Sequence, residues 1–489
     1  MCRLWSAVQI GNFMKKRYVL AIDLGASSGR GMVGCFDGEK IILKEIHRFP
    51  NVPITIGNTL HWDIDRLFND IKQSIAKAAL LYPIESVSVD TWGVDFGLLG
   101  SDGNLLENPV HYRDNRTVGM LERAKQYLSN EEHYRLSGNQ LMEINTAFQL
   151  LSLKENRLEL LEKADKMLMM PDLFHYLLCK EKCSEQTIAS TSQLYDPFKK
   201  TWSKEIIEAF DFPSCIFTPV VPPGTLLGRL HKSLADELGV SNLVVMTTAG
   251  HDTQSAMIAV PTEQKDFLFL SCGTWSLLGT ETSVPIATPK TLSKGMTNES
   301  AYGGKTAFLQ NITGLWLIQE SRRQWALEGR DYNFAKMAKL AQNSQKIDSY
   351  INPDDPIFAS PGDIPNRVQE YCRNTEQSIP KNDGQILRCI YQSLALRHKL
   401  AAETVSDCTG KEYKELHIIG GGANAAPLCQ MTADACQKTV LAGPSEATAL
   451  GNAAAQFIAL GCLENLEQAR QCIRSSCEPI QYDSISLEE

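Results

Sequence analysis

The chain has 489 residues and a net charge of −9, with no Lys/Arg block longer than Lys15-Lys16-Arg17, so it carries no electrostatic footprint for nucleic acid or anionic lipid. That length exceeds what one core of roughly 250 to 300 residues accommodates, and 43% hydrophobic with 21% charged residues is a globular composition, so two large domains or three smaller ones are expected. Apolar windows such as Asp266 to Gly279 are broken by Cys, Thr, Ser and Gly, short of the roughly 20 residues of a membrane span.

The segment before Met14 lacks an apolar stretch ending in a small-residue cleavage site, so no export signal is read there. Residues 1–13 are expected to be a disordered extension, with Met14 as the alternative start. The 14 cysteines are scattered, without C-x-x-C or zinc-type spacing. Reduced thiols in a cytoplasmic protein are expected, Cys372 and Cys389 included, and Cys179 and Cys183 are read as marking one helix face.

In chain order, Tyr18 to Asp23 is an apolar β-favouring run, Gly25 to Gly29 is small and turn-like, and Gly31 to Phe36 is apolar again before Asp37-Gly38 and Ile41 to Ile46. This predicts a three-stranded meander. Ile64 to Leu80 has helical spacing through Leu67, Ile71, Ile75 and Leu80, and Ile84 to Val89 reads as another strand. Helical periodicity dominates Val118 to Leu178, and Val221-Pro222-Pro223-Gly224 marks a turn-rich connection. Val244 to Thr248 is a short buried-type strand. After Val260-Pro261 the pattern restarts, since Phe267 to Ser271 leads into Gly273-Thr274 much as the first strand leads into Gly25. The boundary is therefore placed at 261, giving 14–261 and 262–489. Leu416 to Ile419 runs into Gly420-Gly421-Gly422, Leu428 to Cys436 looks helical, and Gly443 to Gly451 opens an alanine-rich helix.

Four segments are candidates for chemistry. In Asp23-Leu24-Gly25-Ala26-Ser27-Ser28-Gly29-Arg30 small residues let N–H and hydroxyl groups approach phosphate oxygens, and Asp23 at the strand end suits a hydrated Mg²⁺. Gly25 to Gly29 also fits G-x-S-x-G, the nucleophile elbow of α/β-hydrolases, but that motif needs a helix after the serine and a strand follows. Gly304-Lys305-Thr306 is not a Walker loop, because Glu299 stands where the leading glycine belongs. In Gly250-His251-Asp252-Thr253 the carboxylate can accept the proton of an attacking hydroxyl; the competing reading is a helix N-cap. A metal role for His251-Asp252 is disfavoured, since no H-x-x-x-H partner exists. Ser271 to Ser276 and Gly420 to Asn424 each carry a strand into a glycine loop, and either alone could be an ordinary turn. Together, in this order and on strand ends, they point to an ATP cleft.

These residues resemble the FGGY carbohydrate kinases, within the superfold shared by actin, hexokinase and the heat-shock chaperone ATPases. The resemblance runs from about Arg17 to about Cys462. It is carried by Asp23 to Arg30, Asp90-Thr91-Trp92-Gly93-Val94-Asp95-Phe96, Tyr112-Arg113-Asp114-Asn115-Arg116, Met170-Pro171-Asp172, Ser271 to Leu277, Asn311 to Leu317 and Leu416 to Gly422. It implies an α/β fold of two actin-like ATPase (ribonuclease H-like) domains closing over an interdomain cleft, the first for sugar and phosphate, the second for nucleotide. It implies that Ala26, Ser27, Ser28, Gly29, Arg30, Thr274, Gln319 and Gly421 line ATP, that Gly93, His251, Asp252, Thr253 and Asn311 contact the sugar, and that Asp252 is the catalytic base. Most family members carry Thr-Thr-Ser in the first loop and a Gly-Gln-Met-His-like segment later. Ala26-Ser27-Ser28 and Thr91-Trp92-Gly93-Val94 depart from that pattern and move the expected substrate from xylulose or glycerol to L-rhamnulose, phosphorylated at its 1-hydroxyl in L-rhamnose catabolism. The alternatives are L-fuculose or L-xylulose and, in a different class, an actin-like or chaperone-like ATPase switch. Mg²⁺ with ATP and a small ketose are the expected partners, and the chain is expected as a monomer or homodimer. Trp92 is left between packing on the sugar and packing in the core, and Arg116 between a ligand group and a partner of Asp114.

Overall fold

The computed structural model describes residues 16–485, so the expected 1–13 extension and the Met14 start lie outside the described residues. β1 (Arg17–Leu24) is buried from Val19 onward, as a strand covered on both faces must be. It pairs antiparallel with β2 (Ser28–Phe36), and β2 pairs antiparallel with β3 (Ile41–Pro50), giving the expected meander. α1 (Ile64–Leu81) begins at Asp63, whose side chain accepts from the Arg66 N–H, and buries Leu67, Ile71, Ile75 and Ala78. The chain returns as β4 (Ser86–Thr91), parallel to β1. β5 (Leu226–Arg229) and β6 (Val244–Met246) complete a sheet of order β5-β6-β4-β1-β2-β3, with β6 parallel to β4 and β5 antiparallel at the edge.

Between β4 and β5 lies an inserted, largely helical body packed around Phe148, Leu150, Leu151 and Phe210. Its helical reading needs one correction: Lys166–Met169 is a strand, paired antiparallel with Phe96–Leu99. Four residues are too few for a helical and an extended period to differ. α2 (Met170–Cys179) follows directly and stops at Lys180, which takes a left-handed conformation. Cys183 therefore lies beyond the helix, and the shared helix face expected of Cys179 and Cys183 does not exist. The described cysteines are free, and the Cys372 and Cys389 thiols are neighbours.

α3 (Asp252–Ile258) leads to the second sheet. β7 (Leu268–Cys272) and β8 (Trp275–Thr282) form a hairpin, β9 (Thr297–Ser300) and β10 (Thr306–Thr313) extend it, and β11 (Glu415–Ile419), β12 (Thr439–Ala442) and β13 (Ile480–Tyr482) lie on the other side. The order is β9-β10-β8-β7-β11-β12-β13, with β7, β11 and β12 parallel. The plan of the first sheet is repeated: an opening strand with an antiparallel meander on one side and parallel strands on the other.

Among the helices of this half are α4 (Asp383–Thr409), α5 (Ala447–Ala459) and α6 (Leu466–Ser476). α5 is rich in alanine because it crosses β1 and α3 closely, and its buried polar residues reach into the first sheet. Gln456 Nε2 donates to the Leu20 carbonyl at 3.0 Å, and its Oε1 accepts from Ser86 Oγ at 2.6 Å. β9 makes a second seam, because its backbone and side chains bond the inserted body. Asn298 N–H donates to the Gly138 carbonyl (2.9 Å), Ser300 N–H to Ser190 Oγ (2.9 Å), and Thr297 Oγ1 accepts from the Gln140 N–H (2.8 Å). An edge strand otherwise open to foreign pairing is thus covered. No helix among the described residues is long and apolar enough to cross a membrane.

Candidate active site

Three carboxylates converge at the carboxyl ends of the first sheet's parallel strands. Asp23 on β1 stands in register with Asp90 on β4, and the next β4 residue, Thr91, bridges to His251, which precedes Asp252 at the first position of α3. Strand ends of this kind are where open α/β sheets bind ligands. Asp252 is not the N-cap of α3; His251 occupies that position.

The three acids differ in environment. Asp90 is fully buried, and burial, with the Asp23 charge added, holds its carboxyl well above the usual range. Its Oδ2 accepts from Asn452 Nδ2 of α5 at 2.5 Å, while Oδ1 has no hydrogen-bond partner among the described residues. Asp252 keeps 29% of its side chain open. It nevertheless sits deep enough that burial raises its pKa to about 6, opposed by His251 and assisted by Asp23. Asp23 is held by Arg30, whose Nη2 lies 2.7 Å from its Oδ2.

The first glycine loop is shorter than expected. The Gly25 N–H donates to the Ser28 carbonyl at 2.9 Å, so Gly25, Ala26 and Ser27 form the turn and β2 resumes at Ser28. A strand after Ser27 is incompatible with a nucleophile elbow. A side-chain carbon at Gly29 would fall 2.3 Å from the Phe49 ring, so packing beneath the loop requires that glycine. Arg30 also reaches the second half, its Nη1 lying 2.5 Å from Glu446. Two residues back, the Pro444 carbonyl accepts from the Gly420 N–H at 3.0 Å. The segment 444–446 therefore ties the first glycine loop to the last one.

Of the last three glycines only Gly421 is open, with no heavy atom within 4 Å of an added Cβ; at Gly422 that atom would meet Cys272 Sγ at 2.3 Å. Thr274 lies between β7 and β8, and its Oγ1 donates to Gln319 Oε1 at 3.1 Å. Asn311 on β10 donates to Gln140 Oε1 at 3.3 Å. Thr274 and Asn311 share a cavity of about 300 Å³ with Arg113, Gln140, Trp275 and Trp316. Arg113, from the first half, stacks 4.8 Å from the Trp316 ring centre and 5.7 Å from that of Trp275.

The structure brings Gly93, His251, Asp252 and Thr253 together beside Asp23. Gly93 abuts Thr191, and Val94 follows with φ of 67°, a strained conformation for a β-branched residue. The Val94 N–H donates to Thr191 Oγ1 at 3.1 Å, and its carbonyl accepts from Thr146 Oγ1 at 2.6 Å. Trp92 belongs to the core. Its indole donates to Asp95 Oδ2 at 2.9 Å and its ring packs 4.1 Å from that of Trp62. Arg116 meets the Asp114 side chain through its backbone, its N–H donating to Asp114 Oδ1 at 2.9 Å, while its guanidinium Nη2 donates to Gln149 Oε1 at 2.6 Å and burial lowers its pKa to about 10. The sequence reading assigned no role to Asp90 or Glu299. Glu299 reaches His251 from β9, with Oε2 2.9 Å from Nδ1.

Among the described residues no three His, Cys, Asp or Glu side chains form a metal cage. A Mg²⁺ carried on triphosphate oxygens needs only one or two protein carboxylates, and the unpartnered Asp90 Oδ1 beside Asp23 fits that requirement.

Residues 18–259 match the family model described as FGGY family of carbohydrate kinases, N-terminal domain, and residues 268–460 match the C-terminal domain of the same family. The chain is similar to a rhamnulokinase of Oceanobacillus iheyensis, at 39% identity over 96% of this chain and 99% of the relative. A rhamnulokinase of Halalkalibacterium halodurans is 40% identical over 96% of this chain and 100% of the relative. Among solved structures, a ligand-bound xylulose kinase from Lactobacillus acidophilus shares the fold with a TM-score of 0.79 at 16% identity, covering 96% of this chain and 94% of that one. Two matched family domains on two sheets of one plan, with the first and last glycine loops tied through residues 444–446, lead to one conclusion: the chain belongs to the FGGY family of carbohydrate kinases.

Proposed function

We propose that this chain transfers the γ-phosphoryl group of ATP to the 1-hydroxyl of L-rhamnulose, giving L-rhamnulose 1-phosphate and ADP. The substrate class rests on the full-length likeness to proteins named rhamnulokinase. The mechanism rests on one observation: Asp252, with part of its side chain open, stands beside Asp23 and Asp90 at the strand ends of the first half.

Asp252 accepts the proton of the 1-hydroxyl as its oxygen bonds to the γ-phosphorus. The bond from that phosphorus to the bridging oxygen breaks, and ADP leaves with the electron pair. Gly93, His251, Thr253 and Asn311 hold the sugar. Ala26 to Arg30, Thr274, Gln319 and Gly421 hold the nucleotide. Family membership implies a divalent cation with ATP, and we assign Mg²⁺, held on the protein side by Asp23 and Asp90; when bound it neutralises charge on the phosphate oxygens. We divide the chain near Pro261 into 14–261 for sugar and phosphate binding and 262–489 for nucleotide binding, a division supported by the matched segments 18–259 and 268–460.

The test is ADP release with a panel of ketoses. Asp252→Asn is expected to lower kcat by roughly 10² or more; turnover near that of the wild type would remove Asp252 from the role. A higher kcat/KM for L-fuculose or L-xylulose than for L-rhamnulose would displace the substrate. ATP turnover independent of any sugar would favour the ATPase switch.

A further inference from the structure

β9 carries a buried acid to the base from the opposite half. Glu299 is 4% exposed, and its Oε2 both accepts from Gln254 Nε2 at 2.8 Å and lies 2.9 Å from His251 Nδ1. The other ring nitrogen, Nε2, stands 3.5 Å from Asp252 Oδ1. The His251 backbone is fixed separately, its N–H donating to Thr187 Oγ1 at 3.2 Å. A row of acid, imidazole and acid thus runs from the second sheet to the first residue of α3.

We propose that Glu299 is a positioning residue for phosphoryl transfer, fixing the His251 ring as an imidazolium whose Nε2–H faces the Asp252 carboxylate. The inference rests on Asp252 being the base. The chemistry follows from the flanking groups. A carboxylate oxygen lies 2.9 Å from Nδ1 and another 3.5 Å from Nε2, and only the doubly protonated ring turns an N–H toward both. The titratable groups facing His251 are Glu299 from β9, Asp252 from α3 and Glu185 from the segment before the Gln186–Ala189 helix. Burial works against a charge on His251, but these three carboxyl groups outweigh it and raise its pKa to about 9. The positive ring in turn opposes the burial and the Asp23 charge that push Asp252 toward its protonated, inactive form. Glu299 also makes this arrangement depend on the second half, since β9 must lie against the inserted body for the row to exist.

The test compares wild type, Glu299→Gln and Glu299→Asp by two readouts. The first is an NMR titration of the His251 imidazole in the free protein, assigned by the resonance lost in His251→Asn. The second is kcat against pH with saturating ATP and L-rhamnulose. Wild-type His251 is expected to titrate near the value of about 9 given above. Glu299→Gln should move that midpoint, and the alkaline limb of kcat, acidward by about one unit or more, with KM for ATP unchanged. Glu299→Asp, which restores the charge, should recover most of the shift. Wild-type His251 titrating at or below about 6.5, its ordinary value, overturns the proposal, as does a Gln variant whose kcat falls equally at every pH. Should Glu299→Gln fail to fold, the wild-type titration decides. Normal turnover in Asp252→Asn sinks the base assignment while the wild-type His251 midpoint stands as measured, so the two failures are told apart.

Discussion

Gly451 is where α5 of the second half crosses α3 of the first, and Gly451→Ala measures how tightly that crossing holds the base. An added Cβ would lie 1.8 Å from the Ser255 carbonyl oxygen, 2.7 Å from its carbon and 3.2 Å from Ile258 Cβ. Two effects oppose. Alanine is favoured over glycine in a helix interior by about 1 kcal/mol. Overpacking costs about 1–3 kcal/mol, and here the obstacle is a backbone carbonyl, which cannot rotate aside as a side chain can. The helices must part by roughly an ångström, so the clash wins and Tm falls by roughly 2–4 °C per kcal/mol lost. α3 begins with Asp252, and a misplacement of about 1 Å at a reacting group costs about 10²-fold in rate. Thermal unfolding by circular dichroism and the ADP-release assay read the two effects. A Gly451→Ala protein with a higher Tm and intact kcat would mean that helix propensity outweighs the crossing, and the reasoning would fail.

The glycines of the last loop should separate stability from binding. Gly421→Ala adds an atom to open space, so stability should hold within about 0.5 kcal/mol while KM for ATP rises; an unchanged KM would show that this backbone does not meet the nucleotide. Gly422→Ala drives a Cβ toward Cys272 Sγ and should lose roughly 1–3 kcal/mol, and a urea midpoint equal to that of the wild type would contradict it. Arg470→Met should cost about 3 kcal/mol, because it leaves Glu281 buried with only the Lys305 ammonium, 2.5 Å away. Burial opposes the Glu281 charge, but Arg470 outweighs it and holds the carboxyl below its usual value. That stabilisation is present above the unfolded pKa and lost as pH falls through the folded one, so the deficit of the Met variant should shrink in acid; a deficit that grows there would refute the sign.

What the sequence made legible was local. The runs ending at Asp23 and Ser271 are apolar, β-favouring and stopped by glycine, so both opening strands and their loops could be read directly, and the structure builds one sheet plan on each. The Asp252 segment was legible for the same reason, a short strand followed by a polar turn. What was not legible depended on partners distant in the chain. Glu299 lies 48 residues from His251, and Asn452 lies 362 from Asp90. No period or motif links such residues. Gly29 reads as a phosphate-loop glycine but is small because Phe49 lies beneath it, and Trp92 reads as a possible sugar platform until Asp95 and Trp62 enclose it. Val94 gives no sign of its positive φ, because the hydrogen bonds that hold it come from Thr146 and Thr191.

The distribution of these contacts decides where the halves can separate. α5 supplies the Asn452 amide to buried Asp90, and β9 supplies Glu299 to buried His251, so each seam of the second half carries the partner of a buried titratable group in the first. Parting the α5 seam would leave a buried carboxyl without its amide partner, at about 1–3 kcal/mol, and parting the β9 seam would break a buried acid–imidazole pair, at about 3–5 kcal/mol. The contact at the mouth of the gap, Arg113 on Trp316 and Trp275, is a partly open cation–π stack worth about 0.5–1 kcal/mol. Any rotation that widens the gap is therefore expected to pivot on the two seams and yield at Arg113. On such a pivot Asp252 would stay aimed, since the groups that fix it lie at the seams and not at the mouth.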